Sequence, residues 1–153
     1  SEAMRLAIEK ADATRWSTGE LILAADTLVV LGDEILGKPT DEADAVRMLM
    51  RLQGRQHEVY TGLALRAGDR VEADVATTRV WFRSLDAAEC REYVQSGEPL
   101  DKAGSYGIQG LGAALVRRIE GEYFNVMGLP VQLLLSLLGR FGLRYAYGSL
   151  EAR

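Results

Sequence analysis

The chain has 153 residues, 48% of them hydrophobic and 26% charged, and its formal net charge is −4 at pH 7. These values are typical of one globular domain long enough to bury a full core. The acidic balance argues against a general nucleic-acid binder, which usually carries a basic stripe. It does not exclude a nucleotide substrate, because a local lysine cluster is enough to attract phosphates.

The single cysteine and the single histidine limit the chemistry further. Cys90 stands alone, which excludes an intramolecular disulfide, and its helical context predicts a small core residue. His57 falls in a predicted strand without clear partners for a charge relay or a histidine metal site, so a structural role is favoured. No signal peptide is visible, and the most apolar segment, Leu129 to Leu138, is too short to span a bilayer. We therefore expect a cytoplasmic protein without a membrane partner.

The chain opens with a predicted helix over Glu2 to Thr14, which has apolar residues at helical spacing. Lys10 lies near its end, where a solvated side chain is the default expectation. The run from Leu21 to Leu31 then predicts a strand buried on both faces, interrupted by Asp26 and Thr27. A carboxylate there needs compensation by a cation, a metal or hydrogen-bond donors. Taken alone, Asp26 is explained equally well as a cap at a strand end and as part of a functional site.

A turn at Gly32-Asp33-Glu34 predicts a hairpin, which returns to Lys38. An acid on one strand and a lysine across the hairpin would suit a site for a metal-bound polyphosphate. The remaining predicted elements alternate, and because two of the strands form a hairpin we expect an α/β fold with a mixed sheet. They are a helix from a Thr40 or Asp41 cap to Gly54, strands His57 to Arg66 and Val71 to Phe82, a helix from Leu85-Asp86 to Ser96-Gly97, a strand Ala113 to Ile119, a helix Val131 to Gly139 with Pro130 in its first turn, and an edge strand Phe141 to Tyr147.

The glycine-rich segment from Gly97 to Ala113 carries Asp101, Lys102 and Gln109. Glycines let a backbone approach a ligand closely and turn successive N–H groups toward an anion. The spacing matches neither a dinucleotide fingerprint nor a phosphate-binding P-loop. Taken alone, the segment is better explained as a turn-rich crossover loop than as a ligand site.

Several short runs follow one another in a defined order. They are Ala25-Asp26-Thr27, Gly37-Lys38-Pro39, His57 to Gly62, Gly97-Glu98-Pro99, Asp101 to Gly104, Tyr106 to Gly110 and Asn125 to Pro130. In order and spacing, from Lys10 to about Gly142, they closely resemble the Maf family of nucleoside triphosphate pyrophosphatases. The resemblance implies an elongated mixed sheet flanked by helices, as in the inosine triphosphate pyrophosphatases, with the nucleotide in a cleft.

The resemblance also implies hydrolysis of a nucleoside triphosphate to the monophosphate and pyrophosphate with a divalent cation, Mg²⁺ or Mn²⁺. Asp26 takes the position of the family's catalytic acid, as general base or metal ligand, and Lys10 and Lys38 match lysines near the phosphates. Thr27 and Gln109 occupy positions associated with substrate specificity. Asp101 and Lys102 fall in a motif that lines the cleft. The Ala-Asp-Thr and Tyr-Gly-Ile-Gln-Gly runs are similar to the branch that acts on dTTP and UTP.

One part of the family pattern is missing from this sequence. The family begins with a strand and a Ser-x-Ser-Pro-Arg-Arg phosphate loop, so residues 1–153 are expected to be one Maf-like domain that is incomplete at its N-terminus. The family resemblance further implies a homodimer. A nucleotide-binding regulator of cell division with little or no catalysis is the second hypothesis, because that arginine loop is absent.

Overall fold

A five-stranded sheet is the framework of the molecule. The computed structural model describes residues 1–15 and 17–153. The strands pair in the order β2-β1-β3-β4-β5. Their bounds are β1 Ile22–Leu31, β2 Glu34–Leu36, β3 Gln56–Ala67, β4 Arg70–Phe82 and β5 Val116–Glu120. The long hairpin of β3 and β4 forms the centre of this sheet, and β1 pairs along the outer side of β3.

All described strand pairs in this sheet are antiparallel, so the mixed pairing expected from the sequence is not observed. The crossover from β2 to β3 does join two strands that run in the same direction, since both are antiparallel to β1. No parallel pair results, because β1 lies between them. The α/β class is confirmed, with helices packed on both faces of the sheet.

Among the residues that the structure describes, five α-helices flank the sheet, at α1 Glu2–Ala13, α2 Glu42–Leu52, α3 Ala87–Gln95, α4 Tyr123–Met127 and α5 Val131–Arg140. The starts of α2 and α3 follow from their sequences. Asp41 accepts a hydrogen bond from the Asp44 backbone N–H at 2.7 Å, and Asp86 accepts one from the Glu89 N–H at 2.8 Å. Each carboxylate caps N–H groups that have no partner inside their own helix. Within the described residues, no helix combines the length and apolar character needed to cross a bilayer.

The first helix packs closely against one face of the sheet. The side of α1 that faces the strands consists of Ala3, Ala7 and Ala11, all fully buried. Opposite them stands Gly62 on β3, where an added Cβ would lie 2.3 Å from the Ala3 carbonyl oxygen. Small residues on both sides therefore set how closely α1 approaches the sheet.

The other face carries the larger core. There α2 and α3 bury Val29, Leu49, Phe82 and Cys90 among other apolar residues. His57 is also buried, with its Nε2 atom 2.6 Å from the Tyr106 hydroxyl, which agrees with the structural role predicted for it. At the far end of the same face, α5 covers Leu63 and Leu65.

Two details differ from the sequence-based expectation. β1 is not buried on both faces throughout, because Leu23 is 42% exposed. The predicted last edge strand does not join the main sheet. It is the short β6, Leu143–Tyr145, which pairs with β7, Leu150–Ala152, in a separate hairpin. The turn between them uses positive φ angles at Tyr147 and Gly148, and this turn directs the chain back on itself instead of along the main sheet.

Candidate functional site

The middle of β1 is where the sheet is open on one side. β2 pairs only with Val29 to Leu31, so no described strand pairs with the outer edge of β1 at Asp26 and Thr27. Neighbouring side chains on a strand point to opposite faces. Asp26 accordingly faces α1, and Thr27 faces the opposite side, where its hydroxyl oxygen lies 2.9 Å from that of Thr61. A ligand at this edge can reach both side chains.

Lys10 reaches the same edge from α1. Its Nζ atom lies 2.5 Å from Asp26 Oδ1 and 3.1 Å from the carbonyl oxygen of Ala25. The Lys10 side chain is 55% exposed and that of Asp26 is 17% exposed, so the carboxylate is sheltered while the ammonium group meets solvent. The ion pair supplies the compensating cation that a strand carboxylate needs.

The segment after α3 closes the other side of the site. It folds as three short 3₁₀ turns, Glu98–Asp101, Ala103–Ser105 and Gly110–Leu115. Lys102 Nζ contacts Asp101 Oδ1 at 2.9 Å and the Glu98 carbonyl oxygen at 3.1 Å. The ammonium group of Lys102, with Lys38 nearby, lowers the pKa of Asp101 below its ordinary value. Asp101 therefore carries a negative charge at neutral pH.

Glu98 holds the two ends of this segment together. Its carboxylate accepts hydrogen bonds from the Tyr93 hydroxyl at 2.7 Å and from the backbone N–H groups of Leu111 at 3.0 Å and Gly112 at 2.9 Å. Burial raises the pKa of Glu98, but these donors outweigh burial and the pKa lies below its ordinary value. The segment that carries Lys102 and Gln109 is thus tied at both ends to one ionised side chain.

Close contacts of Gly104 join this segment to β1 and to the residues that follow β2. The Gly104 N–H donates to the Gly37 carbonyl oxygen at 3.1 Å, next to Lys38. Gly104 has a φ of +72°, and a Cβ there would lie 2.9 Å from Val29 Cγ1. Glycine is required at this position both for its backbone conformation and for the contact.

These elements enclose a cavity of about 340 Å³. All seven site residues singled out from the sequence line it, namely Lys10, Asp26, Thr27, Lys38, Asp101, Lys102 and Gln109. The apolar part of the lining comes from Val29, Val59, Tyr106, Ile108, Val126 and Met127. The structure therefore brings together residues that are up to 99 positions apart, counting from Lys10 to Gln109.

The lysines of the chain are concentrated at this cavity. The chain has 18 basic residues, 15 arginines and only three lysines, and the three are Lys10, Lys38 and Lys102. Every lysine lines the cavity, whereas its described lining contains no arginine. With Asp26 and Asp101 as the lining acids, the cavity has an excess of one positive charge in a chain with net charge −4. This arrangement suits an anionic ligand that also carries a cation.

A divalent cation is chemically compatible with this lining. In the described part of the chain no group of three or more His, Cys, Asp or Glu side chains is placed to hold a metal. Mg²⁺, however, is usually held by one or two carboxylates together with water and substrate phosphates. Asp26 and Asp101 provide two such carboxylates in one cavity. They fit a cation that arrives with a polyphosphate.

Two positions of the site were assigned no role from the sequence. Thr61 and Asn125 are both fully buried behind Thr27. Both fall within runs that carry the family resemblance, but their function depends on which strands pair. The signal that could have found Thr61 is the one that singled out Asp26, a polar residue on an apolar strand face between Val59 and Leu63.

Comparison with known proteins agrees with this geometry. The family model described as Maf-like protein matches residues 1–141. Curated relatives include three proteins called dTTP/UTP pyrophosphatase. That of Syntrophomonas wolfei is 52% identical over 92% of this chain and 76% of the relative, and that of Myxococcus xanthus is 55% identical over 91% and 71%. The Gloeobacter violaceus protein is 56% identical over 82% of this chain and 66% of the relative.

The chain thus spans between 66% and 76% of the length of these relatives. The family match covers the whole cavity, from Lys10 through Gly128. Identity above 50% over most of the chain, together with the family model, confirms the resemblance drawn from the ordered motifs. The chain belongs to the Maf-like protein family.

Proposed function

We propose that this chain carries the catalytic cleft of a nucleoside triphosphate pyrophosphatase that hydrolyses dTTP and UTP. The observation that supports this most strongly is the gathering of every lysine of the chain in one cavity with Asp26. The relatives called dTTP/UTP pyrophosphatase support the choice of substrate.

The lysines are suited to the triphosphate. In the proposed reaction a water oxygen bonds to the α-phosphorus and the bond from that phosphorus to the bridging oxygen breaks, so pyrophosphate leaves with the bonding electrons. Negative charge grows on the leaving group in this step. Positioned cations stabilise such charge more in the transition state than in the ground state. Lys10, Lys38 and Lys102 all line the cavity, so the phosphates would lie among three ammonium groups.

Asp26 is the residue we assign to the water. Its carboxylate is sheltered and held in position by the ion pair with Lys10, and it would act as general base for the water or as a ligand of the metal ion. Asp26 and Asp101 would hold a divalent cation, Mg²⁺ or Mn²⁺. When bound, such a cation neutralises phosphate charge and helps to orient the polyphosphate.

The remaining lining is suited to the base. Thr27 offers a hydroxyl, and Gln109 offers both a donor and an acceptor. Ile108, Val126 and Met127 provide apolar surface for the flat ring beside them. A pyrimidine with polar atoms along one edge matches this combination.

The test is pyrophosphate release from dTTP, UTP, CTP, ATP and GTP with Mg²⁺ or Mn²⁺. It is run on this chain and on any longer natural form that contains it. We expect pyrophosphate from dTTP and UTP in preference to the purine nucleotides, and loss of that activity in Asp26→Asn. Release of single phosphates, or no hydrolysis by either form, would overturn the proposal. Nucleotide binding without hydrolysis would favour a regulator of cell division instead.

The homodimer remains a prediction from the family resemblance, and the cytoplasmic location remains a prediction from the sequence, in which no signal peptide is visible. Sedimentation of the purified protein across a concentration range checks the first. A species of one chain mass at all concentrations would contradict it.

A further inference from the structure

A chain of hydrogen bonds runs from the cavity into the core behind Thr27. The Thr27 Oγ1 atom lies 2.9 Å from Thr61 Oγ1, and the Thr61 hydroxyl donates to the carbonyl oxygen of Asn125 at 3.0 Å. Thr61 and Asn125 are both 0% exposed, whereas Thr27 lines the cavity. The buried end of this chain therefore cannot exchange its partners for bulk water.

The acceptor at the buried end is held in place. Asn125 Nδ2 donates to the Val59 carbonyl oxygen at 3.1 Å and to Thr78 Oγ1 at 3.0 Å. The Asn125 carbonyl oxygen also accepts from the Gly128 N–H at 3.0 Å, where the chain leaves α4. A carbonyl oxygen can accept two hydrogen bonds, so the Thr61 hydroxyl completes its set.

Counting protons gives the direction of the bond at Thr27. A threonine hydroxyl has one proton and two acceptor lone pairs. Since Thr61 uses its proton on Asn125, it can only accept from Thr27. The opposite orientation makes one buried hydrogen bond instead of two, and leaves the Asn125 carbonyl oxygen with one partner fewer. Thr27 thus directs its proton into the protein and its lone pairs toward the cavity.

We propose that Thr61 is a positioning residue that makes the Thr27 hydroxyl an acceptor toward the cavity, so that the site takes a base edge with a ring N–H. This inference rests on the proposed function and adds to it a physical reason for the choice of base. Uracil and thymine present N3–H between two carbonyl oxygens, and Gln109 can donate to one of those. Cytosine presents an unprotonated ring nitrogen at the same position, which an acceptor disfavours.

The test compares Thr61→Val with Thr78→Val, using the ratio of kcat/KM for UTP to that for CTP. Both substitutions replace a fully buried hydroxyl by a methyl group within one network, but only Thr61 touches Thr27. In Thr61→Val the Thr27 proton is free to turn to the cytosine ring nitrogen. We expect the ratio to fall about fivefold, the range of one net hydrogen bond. We expect Thr78→Val to keep the wild-type ratio. Thr61→Ser should keep it too, because serine retains the hydroxyl.

If Thr61 has a merely structural role, Thr61→Val lowers kcat/KM equally for UTP and CTP and leaves their ratio unchanged. That result overturns the proposal. An equal change of the ratio in Thr78→Val also overturns it. If Thr61→Val does not fold, Thr27→Val is measured instead. Removal of the Thr27 acceptor must then lower kcat/KM for UTP more than that for CTP, so that the ratio falls. If the wild type binds nucleotides but releases no pyrophosphate, the proposed function fails, and the ratio of Kd values for UTP and CTP from calorimetry then tests Thr61. Absence of any nucleotide binding overturns both proposals.

Discussion

Lys10 and Asp26 form an ion pair, with Nζ and Oδ1 2.5 Å apart, that joins α1 to the open edge of β1. Lys10 also contacts the Ala25 carbonyl oxygen, so its ammonium group has two partners on the strand and still faces the cavity. A lysine that had only to neutralise Asp26 would not need exposure to a ligand. The pair therefore combines a held carboxylate with a cation that is available to phosphate.

We predict that Lys10→Met lowers kcat/KM for dTTP by about a hundredfold or more, the range for loss of one charged transition-state contact. Stability should also fall, by about 1–3 kcal/mol, because the sheltered Asp26 carboxylate loses the cation that compensates it. Arg118→Met is the control, since Arg118 is an exposed cation that pairs with Glu120 away from the cavity. Steady-state kinetics and thermal unfolding measure the two effects. Equal losses of activity in both variants would contradict a specific role for Lys10.

Glu98 provides a second prediction. Glu98→Ala leaves the N–H groups of Leu111 and Gly112 and the Tyr93 hydroxyl without their acceptor. Groups left unpaired in this way destabilise a fold by about 1–3 kcal/mol. Because Lys102 and Gln109 lie on the freed segment, we expect KM for dTTP to rise as well. Denaturant unfolding measures the free energy of unfolding, and initial rates measure KM for dTTP. Glu120→Ala, on the exposed part of β5, is the matched control and should change neither quantity.

Much of this fold follows from local sequence signals. Asp41 and Asp86 mark helix starts by their position, and the β3–β4 hairpin follows from alternation around Gly68-Asp69. Asp26 and Lys38 stand out on the predicted hairpin, and the family resemblance supplies the roles of the site residues. The contacts between these residues could not be predicted, because the ion pair of Lys10 with Asp26 depends on how closely α1 packs against the sheet. The β1–β2 hairpin is expected from the turn at Gly32-Asp33-Glu34. The pairing of β3 with the other edge of β1 depends on the order of strands in the sheet, which spacing along the chain does not encode.

The close approach of α1 is itself testable through Gly62. In Gly62→Ala the new Cβ would lie 2.3 Å from the Ala3 carbonyl oxygen and 2.5 Å from the Met4 nitrogen, so the helix backbone must move. Overpacking of this kind destabilises a protein by about 1–3 kcal/mol. A shifted α1 also displaces Lys10, so kcat/KM should fall. Gly37→Ala is the control, because its Cβ meets nothing within 4 Å. Unchanged stability and activity in Gly62→Ala would show that the helix adjusts without consequence for the site.

The buried His57 gives the protein a predictable pH dependence of stability. Burial lowers the pKa of His57 from 6.5 to about 4. Between these values the unfolded chain binds a proton at this residue and the folded chain does not, so the free energy of unfolding falls as the pH falls from about 6.5 toward 4. The size of this loss is roughly 3 kcal/mol, from about 1.4 kcal/mol for each pH unit between the two pKa values.

The double substitution His57→Phe with Tyr106→Phe isolates this effect. It removes the titrating group and its hydrogen-bond partner together, and it keeps aromatic rings at positions where His57, Phe82 and Tyr106 pack edge to face. Replacing both partners by apolar groups of similar shape is nearly neutral at pH 7. Denaturant unfolding at pH 7, 6, 5 and 4.5 should show a shallower loss of stability for the double variant than for wild type. Tyr106→Phe alone retains His57 and should keep the wild-type slope. Equal slopes for wild type and the double variant would mean that other groups, such as the acids Asp44 and Asp74 with their lowered pKa values, account for the acid sensitivity.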